Sequence, residues 1–166
     1  MPAYGRAESW TPGAEPGEGL QRAWRLGRCG TVRITGVEVL RVSGTVAVAA
    51  LAVVEASGTP LGPILANRAR STVEIVVAAG TGATWPGLPG TQCVEGAVMR
   101  CPAPQFTAAS GRHAGGRTWI CAPGRERPGT TDSDVLCEAV TTALVTLASP
   151  WLAPAGATCS GGTRLT

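Results

Sequence analysis

The sequence predicts a single α+β domain, α/β-like in its element order, with a small mixed β-sheet and two main helices. Three observations predict it. Residues 36–80 give a strand, a helix, a tight connection and a second strand. Two short apolar runs, at 96–101 and 117–121, are each ended by proline. A stripe of apolar residues at helical spacing lies between residues 130 and 149.

Residues 1–19 are rich in Pro, Gly and Glu and have no periodicity, with Trp10 as their one large apolar anchor. We expect a flexible N-terminal arm over residues 1–27, a globular domain over 28–151 and a disordered tail over 152–166. Leu20 to Leu26, with Trp24, can form a short helical turn bracketed by Gly27 and Gly30. Residues 31–35 alternate Val32 and Ile34 with Thr31, Arg33 and Thr35, a half-buried strand pattern. Gly36 then leaves two readings open, a hairpin or one bent strand.

In the next strand Val37, Val39 and Arg41 share one side and Glu38, Leu40 and Val42 the other, which suits a sheet covered on both faces. Ser43 and Thr45 are candidate caps for a helix. Residues 46–54 are apolar nearly all round, so this helix should be well buried. Its four valines suit a strand equally, but length, Gly58 and Pro60 favour a helix with a stop. Residues 64–66 can add a short strand. Residues 72–77 are β-branched and form the next one, with Glu74 expected exposed or at an edge. The order fits a βαβ-type crossover.

Residues 81–91 hold three Gly, two Pro and Trp85, a surface loop that Trp85 would pin to the core. The strands at 96–101 and 117–121 are expected to pair antiparallel across the polar loop between them. Thr131 and Asp134 fit a capping box, and Asp132 and Asp134 suit the positive end of a helix dipole. Leu136, Val140, Leu144 and Leu147 make the buried stripe, and Pro150 stops the helix.

Composition bounds the function. Hydrophobic residues make up 44% and charged residues 15%, so the chain can bury a core and is not disordered as a whole. All 14 basic residues are Arg, and the net charge of +3 is too small to argue for nucleic acid by itself. No N-terminal apolar leader is visible and the longest apolar run is far short of a membrane span, so the expected location is cytoplasmic and no membrane partner is expected. The six cysteines, at 29, 93, 101, 121, 137 and 159, include no Cys-x-x-Cys pair, and His113 is the one histidine. That argues against zinc, and we expect no metal and no cofactor. Most of the thiols should be reduced, small buried hydrophobes, with Cys159 exposed.

The catalytic inventory is thin. A serine triad would need His113 with an orienting acid, yet both aspartates are better used as helix caps. Cys101 or Cys121 with His113 would be the corresponding cysteine pair. The glycine-rich stretch after Gly80 lacks the Gly-Lys-Ser/Thr of a phosphate loop. Arg68 and Arg70 precede a strand, and Arg100, Arg112 and Arg117 lie in the paired-strand region, so they could line a phosphate-contacting groove.

The element order, the strand and helix leading into Pro60-Leu-Gly-Pro63, the run Val98-Met-Arg-Cys-Pro-Ala-Pro104, Ser110-Gly-Arg112 and Arg117-Thr-Trp119 together resemble the N-terminal catalytic region of the bifunctional DNA primase/polymerase (prim-pol) family. Over residues 28–150 the chain looks closest to the short, diverged actinobacterial proteins grouped with it. The resemblance implies a primase–polymerase-like fold. Active members carry an Asp-x-Asp that holds divalent metal, at the place of Leu40-Arg-Val-Ser43, and a histidine on the second strand, where this chain has Arg70 to Val77. Neither is present, so no catalytic residue carries over. The expectation is a catalytically degenerate, non-enzymatic relative that keeps weak binding of single-stranded DNA or nucleotide, with Arg68, Arg70, Arg100 and Arg117 as contacts. The alternative is a cytoplasmic protein–protein interaction or regulatory protein, motivated by Trp10, Trp85 and Trp151.

Overall fold

Two strands form the axis of the molecule, Val37–Ser43 and Thr72–Ala78, paired antiparallel from Val37 opposite Ala78 to Ser43 opposite Thr72. The computed structural model describes residues 14–149. Their elements are β1 (Ala14–Pro16), α1 (Leu20–Arg25), β2 (Gly30–Ile34), β3 (Val37–Ser43), α2 (Gly44–Ser57), β4 (Ile64–Asn67), β5 (Thr72–Ala78), α3 (Thr81–Thr84), β6 (Thr91–Glu95), β7 (Val98–Cys101), β8 (Arg117–Cys121) and α4 (Ser133–Ala148). The central sheet runs β6-β3-β5-β4-β8, and a smaller sheet runs β1-β2-β7. The α+β class is as expected, but there are two sheets, and every pairing between these strands is antiparallel rather than mixed.

The expected crossover is present in a split form. β3 and β4 are both antiparallel to β5, so they run parallel to each other with β5 inserted between them. The strand that completes the crossover from α2 is β4. A 3₁₀ turn at Arg68–Arg70 and Ser71, at φ 49°, then reverse the chain, so β5 lies antiparallel to β3.

Each face of the central sheet has its own core. On one face Leu40, Val42, Ile64, Val73, Ile75 and Val77 pack under α2 and α4. α2 buries only one stripe, Val46, Ala47, Ala50, Leu51 and Val54, and leaves Val48 71% exposed, so it is not buried all round as expected. Gly58 ends it in the left-handed conformation at φ 72°. Ser43 is its N-cap residue but makes no side-chain capping bond, and Thr45 is exposed. In α4 the cap is Asp132, whose carboxylate accepts from the backbone N–H of Asp134 at 2.9 Å and Val135 at 3.0 Å. Thr131 cannot serve, because its own N–H donates to Val76 and its hydroxyl accepts from Gly62. Ala139 and Ala143 replace Leu144 and Leu147 in the buried stripe, where small residues allow close approach to α2.

On the other face Val39, Val76, Leu65 and Trp119 pack under the small sheet and α1. Two fully buried tryptophans anchor this layer. Trp24 donates its indole N–H to Cys101 O and Trp119 donates to Pro102 O, each at 3.0 Å. Burying each ring contributes roughly 4–6 kcal/mol of transfer free energy as an upper bound. Of the arm expected over residues 1–27, β1 and α1 are therefore regular elements, and Leu20 and Trp24 belong to the core. Trp10, Trp151, Cys159 and the expected tail lie outside the described residues.

The strands at 98–101 and 117–121 do not pair with each other. β7 joins β2 in the small sheet and β8 joins β4 in the central one. The loop expected over 81–91 contains the single turn α3, and residues 91–95, where no strand was expected, form edge strand β6. Trp85 does pin this segment, donating to Thr91 Oγ1 at 2.9 Å while it packs against the helix-side core.

Candidate functional site

The face of the central sheet under the small sheet is apolar over only half its area. Side chains two residues apart on a strand share a face, and on all five strands the step away from the covered half is from apolar to polar. The steps are Val94 to Gln92 on β6, Val39 to Arg41 and Ser43 on β3, Val76 to Glu74 and Thr72 on β5, Leu65 to Asn67 on β4, and Trp119 to Arg117 on β8. Cross-strand register aligns these into two rows. One runs Gln92–Arg41–Glu74 and continues into Leu65 and Trp119; the other runs Ser43–Thr72–Asn67–Arg117.

At the β6–β3–β5 corner the rows frame an open cleft of about 340 Å³, lined by Arg41, Ser43, Arg70, Thr72, Glu74 and Gln92 with the Gly90–Thr91 backbone. Glu74 was expected exposed or at an edge. It sits instead on a central strand, 6% exposed, because Arg41 lies opposite it. Arg41 Nε donates to Glu74 Oε1 at 3.2 Å. That one-point bond leaves the outer edge of the guanidinium directed away from Glu74. No partner is found among the described residues for Arg70, the Ser43 and Thr72 hydroxyls or the Gln92 amide.

The far corner holds a second irregularity. Asn67 is 2% exposed and Arg117 lies opposite it, yet Asn67 Oδ1 and Arg117 Nε are buried without a hydrogen-bond partner. An unpaired buried polar atom destabilises by about 1–3 kcal/mol, and such local conflicts concentrate at functional places.

Of the four arginines singled out in the sequence, two reach this face. Arg70, in the β4–β5 turn, lines the cleft and Arg117 ends the second row, whereas Arg68, whose backbone N–H donates to Gly116 O, borders a pocket on the α2 side with Thr45, Val48 and Ile120. Arg100 lies on β7 in the small sheet. Both Arg117 and Arg100 pull the Cys29 thiol down electrostatically, although burial outweighs them and leaves it raised. Sequence reasoning missed Arg41, Ser43, Thr72, Asn67 and Gln92. The signal was the shared parity of five apolar-to-polar steps, which register alone makes visible.

At the opposite end of β3 the helix-facing side carries a third polar group. Glu38, 7% exposed, accepts from the Gly80 and Gly82 N–H groups at 2.7 and 2.6 Å and from the Cys93 thiol at 3.0 Å. The thiol bond, followed by the two backbone bonds, holds the Glu38 carboxyl below its ordinary range against the opposing effect of burial. Burial, then the bond to and charge of Glu38, push Cys93 up to about 12. The carboxylate closes the α3 turn and borders an open cleft of about 570 Å³ shared with Thr35, Cys93 and Glu95.

Two-metal chemistry does not fit these residues. Arg41 would repel a cation, and the nearby carboxylate, Glu74, is engaged by it. Among the described residues no group of three or more His, Cys, Asp or Glu side chains is placed to hold a metal. His113 is exposed in a loop, while Cys101 and Cys121 are buried and their thiols raised, chiefly by burial. No helix among the described residues is long and apolar enough to cross a membrane.

Comparison with protein-family profiles, with curated proteins and with solved structures returned no match.

Proposed function

We propose that this is a non-enzymatic, primase–polymerase-like domain that binds the phosphate backbone of single-stranded DNA or a nucleotide along the polar half of its central sheet. The observation that carries the reading is the convergence of Arg41, Arg68, Arg70 and Arg117 from three parts of the chain onto one end of the sheet, with Glu74 the one acid among the residues of the two polar rows. Guanidinium groups bind phosphate oxygens bidentately, and contacts of this kind position a strand without reading its bases. Arg100 lies on the exposed outer face of the small sheet, within electrostatic reach of Cys29 as Arg117 is.

The test is binding of a labelled single-stranded oligonucleotide at low and moderate salt, with Mg²⁺ and dNTPs in one arm. Binding should weaken steeply with salt, and each of Arg68→Gln, Arg70→Gln and Arg117→Gln should lower the logarithmic salt slope by about 0.7. No extension product should form. Absence of binding at low salt would overturn the reading, and template-directed extension would overturn its non-enzymatic part.

A second reading, protein binding, draws on Val48 and Val53 of α2 and Val145 and Leu147 of α4, which are 37–71% exposed on the helical side. Of its expected aromatic anchors, Trp85 is already engaged within the fold.

A further inference from the structure

We propose that the cleft bounded by Arg41, Ser43, Arg70, Thr72 and Gln92 is a dedicated site for a free tetrahedral oxyanion, either inorganic phosphate or the phosphoryl group of a small phosphomonoester. The proposal does not depend on strand binding. It rests on hydrogen-bond supply and demand inside one cavity.

Five donor-bearing side chains enter the cleft from β3, the 68–70 turn, β5 and β6. Arg41 is oriented by its Nε bond to Glu74, which leaves its remaining N–H groups for a ligand. Arg70 is exposed and carries no ion pair, because the one ion pair among the described residues is that of Arg41 with Glu74. Ser43 and Thr72 face each other across β3 and β5, and their hydroxyls rotate to donate. The Gln92 amide adds donors from the β6 side, opposite Arg41. Glu74 is the one acid in the lining, and its bond to Arg41 offsets its charge. Ser43 also starts α2 without acting as its side-chain cap, so the positive end of a 14-residue helix adjoins the same hydroxyl.

Size restricts the ligand. A volume of about 340 Å³ is at the lower end of small-molecule sites, enough for a phosphoryl group and a short organic remainder. The strand-contacting Arg117 lies three strand spacings, about 14 Å, from Ser43 and two, about 10 Å, from Thr72 across the sheet, so the two sites are separable by mutation.

The experiment titrates the full chain with inorganic phosphate and, separately, with glycerol phosphate at constant ionic strength. Chloride and nitrate serve as controls, and calorimetry and thermal midpoint are the readouts. Phosphate should bind and raise the midpoint where chloride and nitrate do not. Arg70→Gln, which removes an unpaired exposed group, should weaken phosphate about tenfold. Gln92→Glu, which sets a carboxylate at the mouth, should weaken it at least as much. Arg117→Gln should weaken oligonucleotide binding and leave phosphate affinity near wild type. A response equal for phosphate and chloride, or phosphate affinity unchanged in both Arg70→Gln and Gln92→Glu, would overturn the site. Oligonucleotide binding without phosphate binding would overturn this proposal and leave strand binding standing. Phosphate binding without oligonucleotide binding would uphold this site and reject the strand.

Discussion

The two faces of the central sheet are made by the same five strands and end differently. Under α2 and α4 the face stays apolar along its length, from Val42 and Val73 through Leu40 and Ile75 to Val77, with Glu38 satisfied by backbone at its end. Under the small sheet it is apolar to Val39, Val76, Leu65 and Trp119 and polar beyond them. Two helices of 14 and 16 residues cover one face, whereas strands of three to five residues cover part of the other. A cover that stops short leaves a sheet surface that must meet water or a ligand. There the chain places arginines, hydroxyls and amides, and leaves several without internal partners. The difference teaches where stability ends and binding chemistry begins on a single sheet.

The largest effect should come from breaking the covered half. Trp119→Ala removes a fully buried ring and its bond to Pro102, and should destabilise by about 3–5 kcal/mol in urea denaturation. Arg117→Ala, two residues along the same strand and face, should cost under about 1 kcal/mol. Equal losses would erase the contrast.

Next is the boundary itself. Arg41→Ala leaves the Glu74 carboxylate buried without its charge partner and should cost about 3 kcal/mol. Adding Glu74→Ala should recover part of that, a coupling that a double-mutant cycle measures directly. Additive losses would mean that the pair does not hold the boundary.

Glu38 sharpens the comparison from the helical side through pH. Its folded-state pKa is depressed, so its stabilisation is complete above the unfolded carboxyl value of about 4.3 and is lost as pH falls through the folded value. Urea midpoints followed from pH 7 to 3 should fall less steeply for Glu38→Gln than for wild type. Parallel curves would deny Glu38 that role. Cys93, held near 12 first by burial and then by the Glu38 carboxylate, should resist alkylation at pH 8 despite its partial exposure, and should react faster in Glu38→Gln.

The smallest effect should be at Asn67. Although it is almost fully buried, its Oδ1 makes no hydrogen bond, so Asn67→Ala should change stability by under about 1 kcal/mol. Leu65→Ala, its neighbour on the covered half, should cost about 2–5 kcal/mol.

Much of the fold was legible because it is locally encoded. The alternation in 31–35, the two-sided pattern of β3, the Gly58 stop and the position of α4 all follow from periodicity and turn chemistry. What was not legible is non-local. Nothing within residues 96–121 states that β7 and β8 belong to different sheets, because the alternatives differ only in distant partners. Glu74 looked like an edge residue because a lone acid in a β-branched run usually is one, and its partner lies 33 residues away. Residues 91–95 were hidden by flanking glycines and prolines, and with them the place of Gln92. Arg68 and Arg70 were found by charge alone. The cleft that Arg70 lines became visible only when register brought β3, β5 and β6 together.

The central claim is that ligand chemistry is confined to the polar half of one face. Amide chemical-shift mapping during titration with a single-stranded oligonucleotide tests it most directly. The account predicts shifts at residues 41–43, 68–72, 90–92 and 116–118, with α2 beyond its first turn, α4 and the loop around Arg125 unchanged. Shifts concentrated on the exposed valines of α2 and α4, or none at low salt, would contradict it.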